Sequence, residues 1–534
     1  MTSRVRRRLT TPLAVMILVA LGACHVQAAI ARGVVFHDRD GDGTRDREEP
    51  GVAGVGVSNG RDVVETDADG QWRLLVDDDD VIFVIKPRGW RTAIDEDGCW
   101  RGYYIHKPDG SPELRYRGVE PTGRLPESVD FALYRQREPR RFKALVLGDP
   151  QCTNPWQVEL LARDVVDQIA RQERDAVVSF SLGDIANNNL DMLEPIADVM
   201  GELPMAHYYV HGNHDENYDA SHDDYADETW ERVFGPPCFS LDWGPVHFLI
   251  LDDVLWHPVS EDREKAGYTA GIDEEQMQFI RNDLALVPRD RLVVYMFHIP
   301  LIELGNREEF LALFEGRPNV LGLSAHWHRQ QHMFIGQDLG WWSEQPHHHL
   351  VAATACGAWW GGDVDEWGLP VTPCSDGVPN GWSVVTFEGN RYSVEFVPAR
   401  APRDFQMDLW VPSMVPAAEA ASHRVYANVF GGSPRSVVEM AVDGGEWVAM
   451  EMQNQPAEED VAFYTEQFRR QLDGLGRAED AAPPHVPVAC SHLWNGTLPE
   501  GLPPGRHTLE VRTTDMFGHT YTDRRLFRIA ENAS

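Results

Sequence analysis

Between residues 148 and 328 the chain five times ends a short apolar run in side chains able to bind metal. The motifs are Gly148-Asp149-Pro150-Gln151, Gly183-Asp184, Gly212-Asn213-His214-Asp215, the single His298 of Phe297-His298-Ile299-Pro300, and His326-Trp327-His328. The preceding runs, Ala144 to Leu147, Ala176 to Leu182, Ala206 to His211, Arg291 to Phe297 and Asn319 to Leu323, have the length and composition of strands. Ligands of open α/β sheets collect beyond the carboxyl ends of strands, so five strand ends predict one common rim. Val158, Leu161, Ala162, Val165, Val166 and Ile169 keep the spacing of one helix face, as Met277, Ile280, Leu284 and Ala285 do more weakly. Alternating strands and helices predict an α/β core. The donors suffice for two metal ions sharing one carboxylate, which points to metal-assisted hydrolysis of a phosphate ester.

In order and type these motifs resemble the signature of the calcineurin-like metallophosphoesterases: DxH, GDxx, GNHD, a single His and GHxH. The resemblance implies a central β-sandwich flanked by helices (αββα). It places Asp149, Gln151, Asp184 and His328 on one divalent ion, and Asp184, Asn213, His298 and His326 on a second. Asp184 is the bridge, because its two oxygens can bind both ions, which the resemblance leaves as Mn, Fe, Zn or Mg. His214 is left over as general acid, with Asp215 to orient it. Two departures stand out. Gln151 occupies the place of a His, and its harder carbonyl oxygen shifts preference toward Mn, Mg or ferrous iron. Ala325 replaces the Gly of GHxH, which is tolerated where the backbone needs no positive φ.

Retention of His214 and Asp215, which metal binding alone does not require, favours an enzyme over an exported surface or carbohydrate-binding protein with a residual metal site. Analogy with Gln-bearing phosphatases of the family favours a phosphomonoesterase. The other enzymatic reading is a phosphodiesterase acting on nucleotides or lipid head groups. Trp359 and Trp360 are candidates to stack on a nucleobase or sugar, or to pack a loop.

Against 84 acidic side chains stand 48 basic ones, a formal charge of -36. Such a surface repels phosphate esters unless cations are bound. No basic stripe is present, which argues against nucleic acid as the main partner. The cluster Arg135 to Arg141 reads as a linker between domains. His207, His211, His222 and His247 lack a motif context and read as structural, and His347 to His349 as a loop near the site mouth.

Arg4, Arg6, Arg7 and Arg8 followed by an apolar stretch over 12–23 predict an export signal over residues 1–28, too short to span a membrane. Val26-Gln27-Ala28 suits cleavage before Ala29 and a periplasmic or secreted product; Leu21-Gly22-Ala23-Cys24 suits a lipoprotein acylated at Cys24. No other segment approaches the ~20 apolar residues of a spanning helix. Six cysteines follow, which an oxidising compartment allows to pair, and Cys356 with Cys374 is the first pair to test.

At 534 residues the chain should divide into about three domains. They are predicted as an N-terminal β domain over 30–136, the metallophosphoesterase domain over 141–400 and a C-terminal β domain over 405–532. Val63-Val64 and Trp72 to Val76 flank the turn signal Asp67-Ala68-Asp69-Gly70, suggesting a small β-sandwich. Tyr103 to Phe131 resembles the N-terminal domain attached to a bacterial branch of these enzymes, and Arg32 to Gly60 the calcium-binding B repeats of bacterial surface proteins. Asp38, Asp40, Asp42, Thr44 (through its carbonyl), Asp46 and Glu49 match a 12-residue calcium loop, without the exiting helix because Pro50-Gly51 follows. Calcium there would be structural. Asp77 to Asp80 reads as a solvated hairpin end. Val425 to Val429, Val437 to Val442 and Thr508 to Thr513 predict a second sandwich, with residues 456–485 helical or loop-like.

Overall fold

A computed structural model describes residues 29–260, 263–362, 364–371, 373–453 and 490–531. The predicted export signal with Cys24, and the polar segment 456–485, lie outside the described residues.

The centre is a sandwich of two sheets. One orders its strands Ala206–Val210, Ala176–Leu182, Arg141–Leu147, Gly381–Glu388 and Arg391–Pro398. Its first three are parallel, and the hairpin of the last two adds antiparallel. The other sheet runs Phe239–Trp243, Val246–Ile250, Leu292–Met296, Val320–Ser324, His347–Val351 and Gln331–Ile335, its four inner strands parallel. Side-chain alternation divides each strand of the first sheet between two cores. Phe142, Ala144 and Val146 face the second sheet, while Leu145 and Leu147 face helices. Phe180 stacks on Phe248 across the interface, ring centres 4.9 Å apart.

Helices cover both outer faces, giving the αββα order. Pro155–Leu161 begins with Asn154 as its cap and Pro at its first turn, and packs with Leu193–Met200 on the first sheet. Glu274–Leu286, capped by Asp273, and Arg307–Ala312 lie with the core shared by the second sheet. The parallel strands of the two sheets deliver their following loops to one edge.

His347 to His349 are not a loop at the mouth. They begin a buried strand of the second sheet. Each imidazole finds a hydroxyl inside the protein: Tyr295 for His347 at 2.7 Å, Tyr392 for His348 at 2.8 Å and Ser324 for His349 at 2.8 Å. Hydrogen-bonded and held neutral by burial, which pushes the His347 pKa down to about 3, they serve as core residues.

Two four-stranded sheets precede the centre, around a core of Val35, Val57, Trp72, Leu74, Ile82, Val84, Phe131 and Leu133. Gln71–Val76 and Asp80–Val84 belong to different sheets, so Asp77 to Asp80 is a crossover rather than a hairpin end. It is only partly solvated. Asp79 pairs with Lys107 at 2.7 Å, and Asp80 accepts from Asn59 at 2.8 Å, its pKa pushed up to about 6 mainly by burial. Two further sheets follow the centre, enclosing Val425, Ala427, Met440, Leu509, Val511 and Phe527.

The leading unit is fastened to the centre. Phe83, Ile85 and Trp100 extend the central core, and Cys99 bridges to His207 on the strand edge. The Arg135 to Arg141 segment is likewise no free linker, because Glu138 is buried against Lys86 at 2.5 Å. Lys86 also donates to the Asp242 carbonyl at 2.6 Å, and Glu138 accepts from the N–H groups of Gly89 and Gly244, both at 2.9 Å. Both side chains are 1% exposed, so removing one strands a buried charge. Lys86→Met should therefore lower unfolding free energy by about 3–5 kcal/mol, and Lys86→Met with Glu138→Leu should recover a large part. Chemical denaturation of the two variants checks this; equal losses would assign the effect to packing.

Candidate metal centre

The first motif leaves the Arg141–Leu147 strand, the second Ala176–Leu182 and the third Ala206–Val210; the last two leave Leu292–Met296 and Val320–Ser324 of the other sheet. Their side chains meet where the sheets' ends come together. Ligand atoms of Asp184, His298 and His326 all lie within 4.8 Å of one another. His298 Nε2 is 3.2 Å from Asp184 Oδ1 and 3.2 Å from His326 Nδ1. Alongside, His328 Nε2 stands 3.3 Å from Asp149 Oδ2. Asp149, Gln151, Asp184, Asn213, His298 and His328 are buried, and His326 is half-buried.

The backbone turns sharply to do this. Asp149, Gln151, Asp184, His326 and His328 all adopt positive φ, between 34° and 64°. Such conformations are sparsely populated by non-glycine residues and cluster where function over-determines them. Ala325 does not adopt positive φ, so its methyl group is accommodated as expected. Glycine is required beside the ligands: a Cβ at Gly212 would fall 2.1 Å from the Asp184 nitrogen, and one at Gly183, 2.5 Å from His298 Nδ1.

The donor set fits divalent cations. His298 Nδ1 donates to the Leu182 carbonyl at 2.7 Å and His328 Nδ1 to that of Gly357 at 2.7 Å, leaving Nε2 of each turned to the cluster. Ligating histidines are held in this manner through their second nitrogen. Asp149 Oδ2 and Asn213 Oδ1 are buried without hydrogen-bond partners. Without cations, protons must balance the charge. Burial opposes it, yet Asp184 and Asp149 push the His298 pKa up to about 10. Burial raises Asp149 to about 8 against the attraction of His298. Asp184, despite burial, is held below the usual carboxylate range by His298 and His214. Burial, with the positive charge of His298, pushes His326 down to about 3.

Gln151 departs from expectation. Its amide nitrogen, not its carbonyl oxygen, faces the bridge: Nε2 donates to Asp184 Oδ2 at 3.0 Å, while Oε1 lies 3.8 Å from Cys356 Sγ. A bare carboxylate attracts a donor, and a half turn of the amide brings Oε1 into the ligand position.

Asp215 does not touch the His214 ring. Its oxygens accept from the N–H groups of Ile185 at 3.0 Å, Ala186 at 2.8 Å and Gly212 at 3.1 Å, so it fixes the loops carrying Asp184 and Asn213. The ring is held by Asn188 instead, whose Oδ1 is 2.8 Å from His214 Nδ1. Asn188 has φ 58°, and its carbonyl accepts from the Tyr116 hydroxyl at 3.0 Å. Tyr116 comes from residues 107–123, a stretch of the leading unit that crosses onto the centre. Lys107 anchors it to Glu228 at 2.5 Å and Glu231 at 2.9 Å. Neither Asn188 nor Tyr116 stood out in the sequence, although Asn187-Asn188 follows Gly183-Asp184 closely enough to have been noticed.

The other candidates separate. His207 and His247 are buried structural histidines, the latter between Asp242 and Asp283 at 2.9 and 2.8 Å. His211 is buried beside Asp252 at 3.3 Å, and His222 is exposed. The six cysteines among the described residues are all buried, and no disulfide joins Cys356 to Cys374. In the 38–49 loop, carboxylate oxygens of Asp38, Asp40 and Asp42 lie within 4.8 Å of one another. The loop already uses its carboxylates: Asp38 accepts from Gly41 and Gly43, Asp42 from Thr44, and Glu49 from Arg39 and Asp46.

A family model for the N terminal of calcineurin-like phosphoesterase matches residues 39–116, and one for the C terminal of calcineurin-like phosphoesterase matches residues 349–521. No curated protein matches the chain. Among solved structures it is similar to a purple acid phosphatase from yellow lupin (Lupinus luteus) seeds, at 14% identity over 65% of this chain and 67% of that one, with a TM-score of 0.35. CopC from Methylosinus trichosporium OB3b aligns at 16% identity over 24% of this chain and 95% of its own, with a TM-score of 0.14. Neither structural likeness is high enough to carry an argument. The two family models, one for each terminal part of calcineurin-like phosphoesterases, bracket the segment that bears all five motifs.

Proposed function

We propose that this phosphoesterase is an exported phosphomonoesterase working with two divalent metal ions. One observation carries the reading: two buried oxygens that accept no hydrogen bond, Asp149 Oδ2 and Asn213 Oδ1, belong to residues around the Asp184–His298–His326 cluster. A buried polar atom left unpaired costs about 1–3 kcal/mol, which coordination would offset. Asp149, Gln151, Asp184 and His328 would hold one ion, and Asp184, Asn213, His298 and His326 the other. Bound there, such ions supply a water of lowered pKa and neutralise phosphoryl oxygens.

The chain's own part is orientation and proton transfer. Buried ligands on two rigid sheets fix where the phosphoryl group can sit. His214 is partly exposed, with Nε2 4.0 Å from Asp184 Oδ2, at the edge of the cluster. Its Nδ1 is engaged by Asn188, which leaves Nε2 to carry the proton that the departing alkoxide needs. Asp215 keeps the loop beneath it in place. Export is supported by the charged and apolar start of the sequence.

Stripped protein given Mn, Mg, Zn or Fe in turn should regain hydrolysis of nitrophenyl phosphate, faster than of the bis-nitrophenyl diester. Asp184→Asn should lower it by at least ~100-fold. No turnover with any metal would reject the reading and favour a binding protein. His214→Ala should lose roughly 10²- to 10⁴-fold on alkyl phosphates and much less on nitrophenyl phosphate, whose leaving group needs no proton. Asn188→Ala should show the same leaving-group pattern more weakly. Equal losses on both esters would remove the acid role from His214.

A further inference from the structure

We infer that the mouth of this centre selects phosphate esters whose leaving alcohol carries a planar ring, and that Trp359 is the platform on which the ring stacks. The inference rests on the phosphoesterase reading and names its substrate class.

The loop bearing Trp359 is built onto the first ligand motif. Ala355 N–H donates to the Gly148 carbonyl at 2.7 Å and Cys356 N–H to that of Asp149 at 3.2 Å. Trp360 is buried, its indole N–H donating at 2.7 Å to the carbonyl of Pro150, between Asp149 and Gln151. Trp359 and Trp360 both hold positive φ, 56° and 52°. Two adjacent bulky residues in that region are strained, and glycine would adopt it freely. The strain has a result: with Trp360 pinned inside, Trp359 is turned outward over the ligand His328. Their ring centres are 4.3 Å apart, yet Trp359 stays 40% exposed.

The facing wall repeats the chemistry. Tyr268 meets the ring of His326 edge-on, centres 6.4 Å apart. Tyr218 is 40% exposed, and its hydroxyl donates to the Asn213 carbonyl at 2.7 Å. Between the two histidine ligands, Trp327 is clamped by the Arg329 guanidinium, 3.9 Å from its ring centre, and by Glu303 at its indole N–H. Three proposed ligands thus each carry an aromatic neighbour. A phosphoryl group held at the ligands places its leaving alcohol among these rings, and a part-exposed indole is suited to a flat partner.

The ring could belong to a nucleoside or a simple aryl group, so adenosine 5′-monophosphate, nitrophenyl phosphate and glycerol phosphate are compared. In the metal-loaded wild type, kcat/KM for at least one ring-bearing ester should exceed that for glycerol phosphate. In Trp359→Ala that ratio should fall roughly tenfold, the size of one stacked base, and Trp359→Phe should restore most of it. A larger loss in Trp359→Ala on the nucleotide than on the nitrophenyl ester identifies a nucleoside; the reverse, an aryl group. Binding of adenosine and of nitrophenol by equilibrium dialysis needs no turnover and should weaken in Trp359→Ala. An unchanged ratio, with losses equal on all three esters, makes Trp359 a packing residue and overturns the inference while leaving the phosphoesterase standing. If no ester is hydrolysed, the phosphoesterase reading fails, and dialysis alone decides the stacking: unaltered binding in Trp359→Ala overturns it.

Discussion

The structure depends on one buried carboxylate, that of Asp184, set among imidazoles and amide donors. Asp184 is 1% exposed and accepts from the His214 backbone N–H at 2.8 Å and the Gln151 amide at 3.0 Å. Its nearest cationic candidate, His298, is also drawn toward Asp149. Charge of this density away from water is costly unless it is compensated. The surrounding choices follow from that cost: glycines where no Cβ fits, left-handed turns at Asp149, Gln151, Asp184, His326 and His328, and Nδ1 atoms of His298 and His328 tied to carbonyls. Each arranges lone pairs inward at the expense of local backbone comfort.

Such strain persists only on a stiff scaffold. The two sheets supply it by sharing an aromatic and aliphatic interface in which Phe180 stacks on Phe248. Ligands from different sheets are then fixed relative to one another by packing rather than by local sequence. The interface also explains the dual use of histidine in this chain. At strand ends, imidazoles have nitrogens turned toward other donors; within the strand His347–Val351, the same side chains are satisfied by hydroxyls and behave as core.

Much of this was readable from the chain because it is local. Ala176 to Leu182 announces a strand by composition, and a Gly-Asp after it announces a turn bearing a ligand. The predicted strand Val437 to Val442 reappears for the same reason. What escaped depends on distant partners. Nothing in His347 to His349 reveals Tyr295, Ser324 or Tyr392 waiting opposite. Asp77 to Asp80 looks like a hairpin end until its flanking strands are seen in separate sheets. The family resemblance implies that Asp215 orients His214, whereas three amides from two loops claim its oxygens. The orientation of Gln151 reflects the local field of a carboxylate, which no motif encodes.

The hydrogen bond from Tyr116 to the Asn188 carbonyl joins parts of the chain 72 residues apart. Residues 107–123 leave the ribosome before any of the five motifs, while the final strands of the first sheet, Gly381–Glu388 and Arg391–Pro398, leave it after all of them. The support behind His214 therefore closes only when the earliest unit has docked on a sandwich whose last strands come much later. Order of synthesis and order of completion are opposed, and the His214 ring is seated by an event that spans the chain rather than by the folding of any single unit.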